Sequence, residues 1–275
     1  MRIVLVAALA ALVVAPTARA AEAPCPEAQK LPESGAQNPS ANIDATLWFQ
    51  ASAEYRASAK GIYAAATKRL AELARKKHKG KLAVVVDVDE TVLDNSIYQA
   101  QLVLTSTGYN NPYKWNDWVA AEKATAIPGA VAFLNKAARL GVRVFYITNR
   151  KCDPVEACPQ KLQTYCNLRA MGVRKISLDD FLLKGERAGW ESDEKAPRRA
   201  AVEKQGYKIV LMMGDQLSDF VEGSAATSSA TRASLEAANE AHWGDDWFLL
   251  PNPMYGDFAS EKLIGGSKAS ALKGY

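Results

Sequence analysis

Three apolar runs in the chain are each followed at once by side chains that can do chemistry. In order, they are Leu82–Val86 with Asp87 and Asp89, Gly141–Ile147 with Thr148 and Asn149, and Tyr207–Met213 with Asp215 and Asp219. Grouped carboxylates repel one another unless a cation neutralises them. A ligand set made only of oxygens favours Mg²⁺ over zinc or copper. The pattern therefore predicts a magnesium site, provided that the three runs share one edge of a sheet.

An Asp-x-Asp element by itself is compatible with several kinds of structure. A lone Asp-x-Asp is more often a capped turn. A calcium-binding helix–loop–helix needs glycine at loop position six and an acidic residue at twelve, where Val92 and Tyr98 stand. A sugar-nucleotide transferase also uses Asp-x-Asp, but it would not account for Thr148 or the later Gly-Asp-x-x-x-Asp element. The three elements together favour the magnesium site.

The elements that must position these residues alternate between strands and helices. Runs such as Leu82–Val86 are typical of strands that are covered on both faces. Weaker strand candidates are Val173–Leu178 and Trp247–Leu250, and helices are expected at Ala130–Leu140, Pro159–Met171 and Pro197–Gln205. This alternation predicts βαβ units and a doubly wound, mostly parallel sheet, whose ligands bind beyond the carboxyl ends of the strands.

The first twenty residues are typical of a secretory signal peptide. A basic start, the apolar run Ile3–Val14 and the small-x-small site Ala18–Ala20 follow in the expected order. The apolar run is too short to span a membrane, and Cys25 stands too far from the cleavage point for a lipoprotein anchor. We expect residues 1–20 to be removed, a flexible lead-in at 21–41, and a periplasmic or secreted chain without a membrane anchor.

Charge excludes some partners. The chain has 34 basic and 30 acidic residues, a near-balance that argues against nucleic acid or an acidic membrane as a partner. The one basic cluster, Arg75–Lys81, stands where a helix should end, so we interpret it as a solvated last turn. The partners expected are therefore small molecules, and a homodimer is left open.

The four cysteines, Cys25, Cys152, Cys158 and Cys166, all follow the predicted cleavage site. An even count in an oxidising compartment favours two disulfides, with three possible pairings. A zinc site is less favoured because the chain has only two histidines, neither of them near the cysteines. The short separation of Cys152 and Cys158 favours that pair, since closing a short loop costs little entropy. Cys25 and Cys166 would then form the second bridge.

Two segments resemble the paired signatures of the bacterial class C acid phosphatases, within the haloacid dehalogenase superfamily. Val85–Tyr98 is similar to the first signature and Val210–Phe220 to the second, although Gln216 stands where Asn or Thr is more usual. The resemblance covers roughly Thr46 to Phe258. It implies a haloacid dehalogenase-like α/β core at 80–255 with a small helical cap. The cap would comprise an N-terminal helical part at 42–79 and an insert at about 96–126, and a loose tail would occupy 256–275.

The resemblance also implies catalytic roles. Asp87 would attack phosphorus and form an aspartyl-phosphate. Asp89 would protonate the leaving alcohol and then deprotonate the hydrolytic water. Thr148 would donate a hydrogen bond to a phosphoryl oxygen. Lys195 would offset the developing negative charge, with Lys184 as the competing candidate.

The implied Mg²⁺ ligands are the carboxylates of Asp87 and Asp215 and the backbone carbonyl of Asp89. Asp219 would instead orient Lys195 or accept hydrogen bonds from metal-bound water. These assignments follow from the resemblance.

Substrate-binding candidates are Asn149, Trp115 in the insert and Tyr255 after the last strand. The two aromatic residues resemble positions where nucleotidases of this family stack a base, and an aromatic face suits any base. Packing of the cap onto the core would account for both residues equally well.

The sequence thus predicts a Mg²⁺-dependent phosphomonoester hydrolase that acts through an aspartyl-phosphate. The expected substrates are nucleoside 5′-monophosphates or similar small phosphates. One alternative is a broad acid phosphatase without base preference. Another is a non-catalytic phosphate- or metal-binding protein on the same fold, which the presence of Asp87 disfavours.

Overall fold

The computed structural model describes residues 25, 42–76, 80–105, 114–225 and 227–260. The predicted signal peptide at 1–20 lies outside the described residues. So do the lead-in apart from Cys25, part of the basic cluster and the tail beyond residue 260.

Two N-terminal helices precede an alternation of strands and helices. The helices are α1 (Ile43–Ala51), α2 (Ala53–Arg75), α3 (Ser96–Leu104), α4 (Trp115–Ala121), α5 (Ala130–Arg139), α6 (Pro159–Ala170), α7 (Ala196–Lys204) and α8 (Ser229–Ala238). The strands are β1 (Lys81–Val86), β2 (Leu93–Asp94), β3 (Thr125–Ala126), β4 (Arg143–Lys151), β5 (Phe181–Lys184), β6 (Tyr207–Gly214) and β7 (Trp247–Leu249).

The main sheet has five parallel strands in the order β5-β4-β1-β6-β7. Alternate residues of the central strand β1 face two separate apolar clusters. Val84 and Val86 lie in one cluster, and Ala83 and Val85 lie in the other. This two-sided burial explains the unbroken apolar run. Because β4, β1 and β6 are neighbours and run the same way, their carboxyl ends meet at one edge, and the predicted doubly wound α/β fold is confirmed.

Three local predictions are corrected. The N-terminal helical part predicted at 42–79 is divided at Ser52, which has an extended backbone and caps α2 by accepting from the amide of Tyr55. Val173–Leu178 is not a strand, because Ser177 and Asp180 form a reciprocal capping box that starts a short 3₁₀ turn; the edge strand is β5 instead. Helix α8 is absent from the prediction, and it has no buried residue.

The insert after β1 projects from a two-stranded stem. Strands β2 and β3 pair antiparallel through Leu93 with Ala126 and Asp94 with Thr125, and they enclose α3 and α4. Helix α1 packs against α3, whereas α2 packs against α5 and β6 of the core. Helix α1 thus lies beside the insert, and α2 lies against the core.

Both predicted disulfides are present, Cys25–Cys166 and Cys152–Cys158. The second bridge closes the loop directly after β4. Within the described ranges, no helix has the length and apolar character needed to cross a bilayer.

Candidate active site

Asp87 lies at the carboxyl end of β1, where its backbone amide donates to the carbonyl of Met213 in β6 (2.9 Å). Its carboxylate is 7% exposed and accepts from the ammonium of Lys195, which is 3% exposed. Lys195 also pairs with Asp219 at 2.6 Å. Lys184 instead pairs with Asp193 (2.5 Å). Of the two candidate lysines, the structure thus brings Lys195 to Asp87.

Burial acts in opposite directions on the pKa values of Asp87 and Lys195. Burial raises the pKa of Asp87 to about 7, although Lys195 opposes the shift and Asp219 and Asp89 add to it. Burial lowers the pKa of Lys195, but the carboxylates of Asp219 and Asp87 more than compensate, and the pKa ends above its ordinary value. Lys195 is therefore a cation at neutral pH, placed between two carboxylates.

Three carboxylates converge at this edge of the sheet. Oxygens of Asp87, Asp215 and Asp219 lie within 4.8 Å of one another. Burial, followed by the charges of Asp219 and Asp87, holds the pKa of Asp215 well above its usual range. A divalent cation would relieve this repulsion, and the donor set consists of the oxygens that such a cation prefers. The residues present therefore fit a divalent metal.

Asp219 differs from the other two carboxylates in its contacts. One oxygen accepts from the backbone amides of Asp215 and Gln216, both at 2.9 Å, and the other pairs with Lys195. The turn after β6 thus fixes Asp219 in place. Asp87 and Asp215 are the carboxylates of the cluster without such a pair of backbone contacts among the described residues.

Asp89 is held by three side chains from two segments, β4 and the residue before α3. Arg150 donates to both of its oxygens, the shortest contact being 2.8 Å. Thr148 donates from its hydroxyl at 3.3 Å, and Asn95 from its amide at 2.9 Å. Arg150 is itself buried, donates to Thr164 in α6 (3.0 Å), and lies over the ring of Trp115 at 5.7 Å.

Asn149 is engaged by protein groups on both sides of its amide. The amide nitrogen donates to the carbonyl of Asp193 (3.1 Å), and the oxygen accepts from Arg198 (2.6 Å). Arg198 is fully buried and also donates to the carbonyl of Thr148 (2.5 Å). Asn149 lines the cavity described next, but its side chain is already tied to the loop before α7.

A cavity of about 1090 Å³ opens at this edge. The predicted site residues that line it are Asp87, Asp89, Trp115, Asn149, Lys195, Asp215, Asp219 and Tyr255. Apolar residues of the cap and of the loop after β7 complete the wall, among them Leu102, Val103 and Met254. Buried Thr148 contacts Asp89 without lining the cavity. The residues predicted from three strand ends and three other segments therefore surround one space.

The two aromatic candidates are held differently. Trp115 meets Tyr98 edge-on, with ring centroids 5.2 Å apart. Tyr255 donates its hydroxyl to the buried carboxylate of Glu90, which also accepts from the backbone amide of Asn95 (2.9 Å).

The comparisons with known proteins agree with this geometry. The family profile described as HAD superfamily, subfamily IIIB (Acid phosphatase), matches residues 9–258. The chain belongs to this acid phosphatase family. Its fold resembles the class C acid phosphatase from Bacillus anthracis, with 34% identity, a TM-score of 0.73, and coverage of 85% of this chain and 97% of that one. A structure of the Bacillus anthracis enzyme with tungstate bound gives 33% identity, the same coverage and a TM-score of 0.72.

Curated plant proteins are also similar to this member of the acid phosphatase family. The stem 28 kDa glycoprotein of Glycine max is 27% identical over 62% of this chain and 58% of its own length. Acid phosphatase 1 of Solanum lycopersicum is 26% identical over 64% of this chain and 59% of its own length. The chain thus aligns with less than two thirds of these relatives.

Four residues around the cavity and the acidic cluster are absent from the sequence-based prediction: Glu90, Arg150, Arg198 and Asn252. Arg150 gives the strongest signal of the four, because a cation two residues after Thr148 lies at an edge rich in carboxylates. Asn252 donates to Asp215 at 2.8 Å, and its place after the last strand is a weaker indication. Glu90 and Arg198 act through neighbours in the fold, and no sequence pattern points to them.

Proposed function

We propose that this acid phosphatase family member hydrolyses phosphate monoesters through an aspartyl-phosphate on Asp87. The observation that carries the proposal is the buried contact between Lys195 and Asp87, beside Asp215 and Asp219. The contact holds a carboxylate nucleophile and a compensating cation in the lining of a cavity large enough for a small ester. The likeness to a class C acid phosphatase at 34% identity supports the same reaction.

In the first step Asp87 attacks phosphorus, and the bond between phosphorus and the ester oxygen breaks. Asp89 gives its proton to the departing oxygen, which leaves as an alcohol. Lys195 balances charge on the phosphoryl oxygens, and the Thr148 hydroxyl, which contacts Asp89 in the structure, would have to turn from Asp89 to donate to one of them. Arg150 keeps the Asp89 carboxyl aimed at the leaving group through its three hydrogen bonds.

In the second step water attacks the phosphorus of the aspartyl-phosphate. Asp89, now a carboxylate, accepts the proton of that water. Inorganic phosphate leaves and Asp87 is restored, so one water is consumed for each ester cleaved. Binding of tungstate, an oxyanion, to the Bacillus anthracis enzyme is consistent with a phosphate-sized site in the family.

The carboxylates of Asp87 and Asp215, together with the backbone carbonyl of Asp89, would hold Mg²⁺. When bound, the ion would neutralise charge on the transferring phosphoryl group. Asp219 is not needed as a ligand, because its contacts to two amides and to Lys195 already give it a positioning role.

The proposed substrates are nucleoside 5′-monophosphates or similar small phosphates. Support comes from the cavity, which extends from the carboxylates to Trp115 and Tyr255 and includes apolar cap residues. A base could stack on either ring, whereas the alternative without base preference treats both rings as packing groups. The two disulfides support a periplasmic or secreted location.

A phosphate-release screen tests this proposal. Nucleotides, sugar phosphates, aryl phosphates and glycerol phosphate are compared at equal concentration, with and without chelator. We expect release from several esters, fastest from nucleoside 5′-monophosphates, and none with chelator. Absence of release from every ester in the presence of Mg²⁺ would leave the non-catalytic alternative.

A further inference from the structure

A network of side chains joins the turn after β6 to the loop after β7. The amide nitrogen of Gln216 donates to Asp215 (3.0 Å) and to the backbone carbonyl of Tyr255 (3.2 Å). Asn252, from the same loop as Tyr255, donates to the same oxygen of Asp215 (2.8 Å). The loop is thus connected twice to one carboxylate of the acidic cluster.

Gly256 provides the space in which the Gln216 amide lies. Its φ of +149° belongs to the region that glycine favours. A Cβ at this position would stand 2.5 Å from the side-chain oxygen of Gln216 and 2.6 Å from the nitrogen. No side chain at 256 could be accommodated without displacing the amide from its two acceptors.

The loop carries Tyr255 and is also connected to the cap. The amide of Asn42, directly before α1, donates to the carbonyl of Met254 (2.7 Å). The hydroxyl of Tyr255 donates to Glu90, which directly follows Asp89 in the chain. The loop therefore has contacts to the cap and to the phosphate end, and Gln216 supplies one of the contacts to the phosphate end.

We propose that Gln216 is a positioning residue that fixes the Tyr255 loop to the metal-binding carboxylate Asp215. This inference rests on the proposed function. Gln216 would connect the phosphate end of the cavity, at Asp215, to the Tyr255 loop, against which the leaving group of the substrate would lie. Asparagine, which is shorter by one carbon–carbon bond of about 1.5 Å, could not keep both contacts.

Loss of the Gln216 contacts should lower the activity on some substrates more than on others. Esters with a base that can stack on Tyr255 should depend on the position of the loop, whereas glycerol phosphate has no base to stack. Loss of one hydrogen bond of this kind corresponds to roughly a five- to tenfold change. We therefore expect Gln216→Asn to lower kcat/KM by that factor for a nucleoside 5′-monophosphate and by less than about threefold for glycerol phosphate.

The test combines Gln216→Asn, Gln216→Met, Gly256→Ala and the Gln216→Asn/Gly256→Ala double variant. Gln216→Met keeps the length of the side chain without its amide. Gly141→Ala is the matched glycine control, because Gly141 has a φ of +73° and nothing within 4 Å of an added Cβ. Gln205→Asn, on the exposed end of α7, controls for the shortening. Readouts are kcat/KM on both substrates and the rise in melting temperature on adding Mg²⁺.

The proposal expects both Gln216 variants to lose nucleotide activity selectively and to show a smaller Mg²⁺-induced rise in melting temperature. Gly256→Ala should also lose nucleotide activity, and adding Gln216→Asn to it should cost little more, because the amide is already displaced. Should Gly256→Ala fail to fold, the two Gln216 variants decide through the substrate ratio.

If the wild type is active, two results would reject the role of Gln216 and leave the proposed function standing. One is an equal loss of activity on both substrates in the Gln216 variants, and the other is a fully additive loss in the double variant. A wild type inactive on both substrates would overturn the proposed function together with this inference.

Discussion

The two ends of the cavity are constructed differently. At the phosphate end, Asp87 and Asp219 are placed by backbone contacts at strand ends, to Met213 and to the amides of the turn after β6. At the distal end, Trp115 and Tyr255 come from a cap helix and a loop, and side-chain contacts hold them. Backbone contacts do not depend on the leaving group. We therefore expect substitutions at the sheet edge to affect all esters alike, and substitutions in the cap and the loop to affect some esters more than others.

The largest effect is expected at the phosphate end, from Asp87→Asn. Asn keeps the volume but removes the nucleophile and its charge, so turnover should fall by a factor on the order of 10⁴ or more on every ester. Phosphate release from a nucleotide and from glycerol phosphate is the measurement. Asp245→Asn, in an exposed ion pair with Arg69, is the matched control and should stay active. Substantial release by Asp87→Asn would contradict the mechanism.

Metal removal should act equally on all substrates. Chelation is expected to abolish activity, and Mg²⁺ to restore it better than Zn²⁺ or Ca²⁺, because the cluster offers carboxylate oxygens. Melting temperature is a second readout, since a ligand that binds only the folded state raises it. Full activity of rigorously metal-free protein would be incompatible with this account.

Arg150 contacts Asp89 at the phosphate end of the cavity and Trp115 at the distal end, and Arg150→Met tests its role. Without the three hydrogen bonds from Arg150 to Asp89, the general acid loses its position, and kcat should fall roughly 10²-fold for an alkyl phosphate. An aryl phosphate, whose leaving group needs less protonation, should lose less. Arg69→Met serves as the matched control, because Arg69 pairs with Glu72 and Asp245 away from the cavity. Equal losses on the alkyl and aryl esters would argue against a role through Asp89.

The smallest effects are expected at the distal end. Trp115→Ala or Tyr255→Ala should each cost about one to two decades of kcat/KM on a nucleoside 5′-monophosphate, since stacking contributes about 1–3 kcal/mol per base. Glycerol phosphate should be hydrolysed nearly as before. Tyr255→Phe separates the ring from the hydroxyl contact with Glu90. Equal losses on both substrates, with lower melting temperatures, would instead assign the rings to cap packing.

The contrast between the two ends of the cavity also explains which site residues can be predicted from the sequence. Asp87, Thr148 and Asp215 follow apolar runs at fixed offsets, so the parallel sheet alone brings them to one edge. The choice between Lys184 and Lys195 cannot be made from spacing, because it depends on the course of the loop between β5 and α7. Geometry favours Lys195 through its contacts to Asp87 and Asp219.

Contacts between distant side chains are the hardest to predict. Arg150 reaches Asp89 across 61 residues and Tyr255 reaches Glu90 across 165, so no local pattern records either contact. Short elements and weakly buried elements also escape prediction. Helix α8 has no buried residue, and β5 is buried but only four residues long. A periodic pattern needs several residues and a clear difference in burial between faces, and neither element provides both.

The central claim is that Asp87 becomes phosphorylated during turnover, and chemical trapping tests it directly. The enzyme is mixed with substrate and Mg²⁺, quenched in acid and treated with borohydride, which reduces an acyl phosphate to the corresponding alcohol. Mass spectrometry of the peptide that contains residues 81–93 then locates the change. We predict homoserine at position 87 in the wild type, dependent on substrate and absent from Asp87→Asn. Turnover without any reduction at position 87, or reduction at Asp89 instead, would contradict the account.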